Sequence, residues 1–110
     1  MMSFSAYKGM WLMAFFDLPV DTPDRRRQYA RFRKALVQDG FMMLQYSVYA
    51  RYCPNEDFCR IHARKVQEAV PPDGEVRLLR VTERQFGGME VYWGKKRVPA
   101  EEKPVQLELF

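Results

Sequence analysis

The chain has 110 residues, 47% of them apolar and 15% aromatic, with a net charge of +4 and a pI near 9.2. That length suits one domain with one core, and the apolar share excludes a disordered chain. The first ten residues and the apolar run after them read as neither a secretory leader nor a membrane span, so a cytoplasmic protein with no membrane contact is expected. The basic balance favours a polyanionic partner, and two Cys without a disulfide framework suit a reducing compartment.

After a partly polar lead-in over 1–9, Trp11-Leu12-Met13-Ala14-Phe15-Phe16 runs apolar without a break and ends on Asp17. Such a run reads as a central strand over about 10–16, buried on both faces. Pro19 removes a backbone donor and pushes Leu18 out of the helical region, so the strand stops there. Asp17 is then a carboxylate at the rim of a sheet, either a turn residue or a ligand held by the core behind it.

Asp17 to Asp21 reads as a turn, and Thr22-Pro23 supplies an N-cap hydroxyl followed by Pro at the first helical position. A helix follows over about 23–38, with Tyr29, Phe32 and Leu36 as its core stripe, Ala35 beside them and Gly40 as its stop. Away from the stripe lie Arg25, Arg26, Arg27, Arg31, Arg33 and Lys34, with no acid between Asp24 and Asp39. A solvated helix face ordinarily mixes signs, so this one is a candidate for phosphate contact.

Phe41 to Leu44 and Gln45 to Tyr52 read as one bent strand, or as two strands joined by a kink near Leu44-Gln45. The second part sets Tyr46, Val48 and Ala50 against Gln45, Ser47, Tyr49 and Arg51. Tyr49 and Tyr52 read first as packing residues, with a platform for a nucleotide as the alternative. Pro54-Asn55 opens a second helix over about 55–69, with Phe58, Ile61, His62, Val66 and Ala69 along one side. Cys53, Cys59 and His62 lack the close Cys pairs and fourth ligand of a zinc site, so His62 reads as a partly buried core histidine.

Pro71-Pro72-Asp73-Gly74 is a turn, and Glu75 to Thr82 another strand, whose Arg77 and Arg80 are phosphate contacts or plain solvated charges. Residues 83–88 read as a turn and Met89 to Trp93 as a short last strand closed by Gly94. The domain is placed at 1–94, with 95–110 an extended tail ending in apolar alternation. The resulting βαββαβ order is that of an α+β ferredoxin-like sandwich with an extra short C-terminal strand. Its unpaired edges and apolar tail point to a homodimer formed through added strands.

That fold licenses no function. The chain has no phosphate-gripping Gly-rich loop, no Ser/His/Asp set, and a single His. The Gly-aromatic motif of RNA-recognition modules is absent from the 75–82 strand. Asp17 is left as the candidate ligand for a hard divalent cation, Mg²⁺ or Mn²⁺. One carboxylate is a thin site; two copies of Asp17 across a two-fold axis would make a plausible one for activating water against a phosphodiester.

Phe16-Asp17-Leu18-Pro19, the Arg-rich first helix, Gly40-Phe41 and Gln45-Tyr46-Ser47-Val48-Tyr49 together resemble the family of CRISPR-associated protein two, a small spacer-acquisition protein. Thr82-Glu83-Arg84-Gln85-Phe86 and the Met89-to-Gly94 strand are similar to the form that accompanies type II systems. The resemblance covers roughly residues 10–94. It implies a ferredoxin-like homodimer in which Asp17 lies near the dimer axis and binds Mg²⁺, with Ser47 and Tyr49 beside it as candidate catalytic residues. Arg31 falls near a helix arginine that the family uses, whereas Met43 and Leu44 stand where some members carry an arginine.

Members of the family are described as metal-dependent endonucleases on RNA or DNA. The resemblance further implies that the dimer bridges two dimers of an integrase, CRISPR-associated protein one, on duplex DNA. The alternatives are a free-standing metal-dependent RNA or DNA endonuclease acting through paired Asp17, with single-stranded RNA as a further candidate partner, and an unrelated ferredoxin-like RNA-binding or regulatory module. The tail Gln106-Leu107-Glu108-Leu109-Phe110 reads as a strand that adds to the dimer or to the integrase, and it is also similar to the short peptide that docks bacterial proteins on the sliding clamp.

Overall fold

Strand β1 (Met10–Asp17) lies at the centre of a four-stranded antiparallel sheet. The structure is a computed structural model and describes residues 9–104; the expectations for 1–8 and for Gln106–Phe110 lie outside the described residues. β1 pairs on one side with β3 (Val48–Cys53) and on the other with β4 (Glu75–Thr82), and β2 (Met42–Gln45) pairs beyond β3, giving the order β2-β3-β1-β4. With helices α1 (Pro23–Gln38) and α2 (Glu56–Ala69) following β1 and β3, this is the ferredoxin-like βαββαβ arrangement.

The two faces of β1 separate by the period of two. Leu12, Ala14 and Phe16 meet Phe32 and Leu36 of α1 and Cys59 and Val66 of α2, so both helices cover one face. Trp11, Met13 and Phe15 point to the other face, beside Val48, Ala50 and Val81. That second face is covered at one end by a short helix, α3 (Glu83–Gly87), whose Phe86 stacks on Trp11 with ring centroids 4.0 Å apart and 9° between planes. From its middle toward the Asp17 end the face is open, and Leu79 on β4, opposite Met13, is 50% exposed.

Both long helices begin where the sequence places them. The Thr22 hydroxyl accepts the Arg25 N–H and the Asn55 side chain accepts the Phe58 N–H, each satisfying a donor that the first turn leaves free.

Four details depart from the sequence reading. The stretch 45–52 is not one alternating strand: Tyr46 and Ser47 form a two-residue turn between Gln45 and its partner Val48, with Ser47 at φ 67°. Residues 83–87 are helical rather than a turn, because Thr82 and Gln85 cap each other reciprocally and Phe86 has a place to bury. On α2 the buried positions are Cys59, His62 and Val66, while Ile61 is exposed, since the helix turns its Cys rather than its Ile toward β1. The last strand, β5 (Val91–Trp93), pairs with β6 (Lys96–Val98) in a separate hairpin rather than joining the sheet.

Candidate functional site

Asp17 is the last residue of β1 and is exposed, while Phe16 before it and Leu18 after it are buried. The carboxylate therefore sits on a strand end anchored on both sides. Gly74 lets the chain turn back close to it: its φ is +99°, and a Cβ there would lie 2.9 Å from the Asp17 carbonyl oxygen. β4 starts one residue later, so that Glu75 faces Asp17 across the ladder.

Around Asp17 lies a shallow depression of about 230 Å³ walled by Phe15, Tyr46, Ser47, Val48, Glu75 and Arg77. Glu75 is held by Arg77, whose Nη2 and Nε donate to one of its oxygens at 2.6 and 3.0 Å. No hydrogen bond or ion pair engages the Asp17 carboxylate among the described residues.

The donor set limits what metal the site could hold. No cluster of three or more His, Cys, Asp or Glu side chains suited to a metal ion occurs among the described residues. One chain offers Asp17 freely and Glu75 only in competition with Arg77. That suits a cation such as Mg²⁺, which takes one or two carboxylates and keeps water and phosphate oxygens for its remaining positions. It does not make an all-protein cage.

Of the expected catalytic residues, the structure brings Ser47 to Asp17 and leaves Tyr49 elsewhere. The Ser47 carbonyl accepts the Phe16 N–H at 3.1 Å, tying the β2–β3 turn to the end of β1. The Ser47 Oγ is 3.1 Å from the Tyr29 hydroxyl. Tyr49 pairs with Ala14, faces the helices and is 1% exposed, packed on Phe16 at a centroid distance of 5.5 Å. It lies across the sheet from the Asp17 side chain, a packing residue rather than a platform. Tyr52 is half-buried with its ring edge-on to Trp11, and burial pushes its phenol above the usual range.

The basic candidates divide into three groups. On α1, Arg25 pairs with Asp21 and Asp73 at 3.0 and 3.5 Å, which raises its own affinity for the proton and lowers that of Asp21. Arg27 pairs with Asp24 at 3.3 Å, and Arg26 donates to the Val20 carbonyl. Arg31, Arg33 and Lys34 are exposed with no ion pair among the described residues. Helical spacing puts Arg27, Arg31 and Lys34 on the outer face opposite Phe32 and Leu36. Arg77 and Arg80, three apart on β4, point to opposite faces of the sheet. Arg77 shares the open face with Phe15, whereas Arg80 reaches the helix side beside Cys59.

The Cys and His side chains are occupied structurally. His62 Nδ1 and Asp39 Oδ2 are 2.7 Å apart, joining α2 to the end of α1. Cys53 and Cys59 are free thiols buried in the helix-side core. The mutual influence of the two thiols pushes that of Cys53 up and, with Arg80 nearby, draws Cys59 down to about 7.

Residues 10–89 match the family model of CRISPR associated protein Cas2. The chain belongs to the Cas2 family. It is 52% identical over 101 residues to the CRISPR-associated endoribonuclease Cas2 of Parvibaculum lavamentivorans, a match covering 92% of this chain and 100% of that one. It is 38% identical over 104 residues to the protein of the same name from Flavobacterium psychrophilum, covering 94% and 90% of the two chains. To that of Ligilactobacillus salivarius it is 42% identical over 87 residues, covering 79% and 86%. No helix of this Cas2 chain is long and apolar enough to cross a membrane among the described residues.

Sequence reasoning missed one member of the site. Tyr46 is 76% exposed at the turn beside Asp17, its ring stacked on Tyr29 at a centroid distance of 5.9 Å with 20° between planes. The available signal was the Gln-Tyr-Ser run itself, in which a polar, compact Ser47 can take a positive φ and end the strand pairing.

Proposed function

We propose that this Cas2 chain acts as a homodimer in CRISPR spacer acquisition, in the cytoplasm, bridging dimers of the integrase CRISPR-associated protein one on duplex DNA. The observation that carries the reading is an apolar sheet face left open from its middle toward the Asp17 end, with Leu79 exposed and Phe15 and Val48 half-buried, on a chain whose outer α1 face bears Arg31 and Lys34. An open apolar sheet face calls for a partner, and a second copy would meet it symmetrically. Exposed, unpaired cations along a helix suit the regular phosphates of a duplex and read no sequence.

The test is spacer integration in a reconstituted mixture of integrase, short duplex, repeat-bearing plasmid and Mg²⁺. Arg31→Glu with Lys34→Glu is expected to abolish integration, and Asp17→Ala to leave it intact. Absence of integration with the wild-type chain overturns the reading.

A second reading concerns the exposed Asp17 carboxylate, which no side chain among the described residues engages, and draws on the word endoribonuclease in the relatives' names. In it the two Asp17 carboxylates of the dimer hold Mg²⁺ or Mn²⁺. A divalent ion so held supplies charge neutralisation and an activated water for phosphodiester hydrolysis. Ser47 keeps the β2–β3 turn against the end of β1, and Arg77, if released from Glu75, meets the phosphate. Mg²⁺-dependent cleavage of single-stranded RNA by the purified chain is expected to fall to background in Asp17→Ala with the dimer intact. Undiminished cleavage by that variant would remove Asp17 from the chemistry.

A further inference from the structure

Tyr46 is an aromatic ring that the fold displays instead of burying. It occupies the β2–β3 turn, is 76% exposed, and walls the depression around Asp17. It is not a loosely held side chain on a long loop. The turn has two residues, and the Phe16 N–H donates to the Ser47 carbonyl at 3.1 Å, so the turn is fixed to the residue before Asp17. One face of the Tyr46 ring is backed by Tyr29, nearly parallel to it, and Tyr29 is itself tethered through its hydroxyl to Ser47 Oγ. The outer face of the ring is left to solvent.

A ring backed on one side, bare on the other and set beside a carboxylate that suits a phosphate-bound cation has the form of a stacking platform. Every nucleobase has a π-face, and such platforms accept it without reading sequence. The bases of an intact duplex are stacked on one another and offer no free face to such a ring, so this geometry selects an unpaired base. The backing ring belongs to α1, so Tyr46 stands at the sheet rim between that helix and the Asp17 depression.

We infer that Tyr46, with Tyr29 behind it, binds one unpaired nucleobase of a single RNA strand and so positions the neighbouring phosphate at Asp17. The inference rests on the endonuclease reading for the role of Asp17, but its own content is a binding contact that needs no cleavage.

The experiment measures binding of a single-stranded RNA carrying 2-aminopurine to the full chain in EDTA, with a duplex RNA in parallel. Stacking on an aromatic ring quenches the probe. Wild type and Tyr46→Phe are expected to quench alike. Tyr46→Ala should lose the quenching and about tenfold in single-strand affinity while binding duplex as wild type does. Equal quenching by Tyr46→Ala and wild type, or no quenching by wild type, overturns the inference. Asp17→Ala separates the two ideas: it should quench normally while failing to cleave in Mg²⁺. If it cleaves normally, the endonuclease reading falls and the stacking contact stands or falls on the quenching alone.

Discussion

Gly74 governs the placement of Asp17 more directly than any neighbour that touches solvent. Its φ of +99° is one that L side chains rarely adopt, and an added Cβ would press on the Asp17 carbonyl oxygen at 2.9 Å and on Leu18 Cα at 3.0 Å. Those contacts are backbone, so they cannot be relieved by a rotamer change. Gly74→Ala is therefore expected to destabilise the fold by roughly 1–3 kcal/mol, read as a lower urea midpoint at constant slope. It should also weaken any Asp17-dependent cleavage, because the strand end must move. Gly87 is the internal control. It lies in α3 with nothing within 4 Å of a built Cβ, so Gly87→Ala should leave stability unchanged or raise it by about 0.5–1 kcal/mol. Opposite signs for two Gly→Ala changes would isolate the turn geometry from the general entropy of glycine.

At the scale of elements, α3 shows how a five-residue helix persists far below the length at which helices hold themselves together. The reciprocal cap between Thr82 and Gln85 satisfies two end groups, and Phe86 stacks on Trp11, closing one end of the second core cluster. Thr82→Ala is expected to cost about 1 kcal/mol and Phe86→Ala about 3–5 kcal/mol, measured by thermal and urea unfolding, the packing outweighing the cap. The Thr-x-x-Gln spacing was present in the sequence, but one turn of helix shows no 3.6-residue period, so it read as a turn. The long elements were legible for the converse reason. The unbroken run from Trp11 to Phe16, stopped by Pro19, marked a core strand, and Tyr29, Phe32 and Leu36 marked the inner face of α1. Asp17 was legible because Pro19 ends the strand just beyond it. Tyr46 was not: with no Gly or Pro at the turn, alternation assigned it to one face with Val48 and Ala50, and only the three-dimensional pairing of Gln45 with Val48 turns it outward. Pairing between β5 and β6 was likewise beyond reach, since alternation reports that a segment is a strand and not which strand it meets.

For the whole molecule the deciding quantity is where the positive charge is free. The +4 net charge overstates some positions and understates others, because Arg25 and Arg27 are matched within the chain by Asp21, Asp73 and Asp24. Arg31 and Lys34 have no such partner among the described residues and lie on the outer face of α1. A phosphate that approaches Arg25 must compete with two carboxylates, while one that approaches Arg31 displaces only counterions. Counterion release makes this measurable: each phosphate neutralised on B-DNA contributes about 0.9 to the slope of log affinity against log salt. Replacing Arg31 and Lys34 together by Ala should therefore flatten the slope for duplex DNA by about 1.8. Replacing Arg25 and Arg27 together should flatten it much less, and it leaves Asp21, Asp73 and Asp24 uncompensated, so some affinity is lost without the matching change in salt dependence. Should the two double variants flatten the slope equally, the intrachain pairs must open on DNA, and the duplex would then track the N-terminal end of α1 toward the Asp73 turn instead of its outer face.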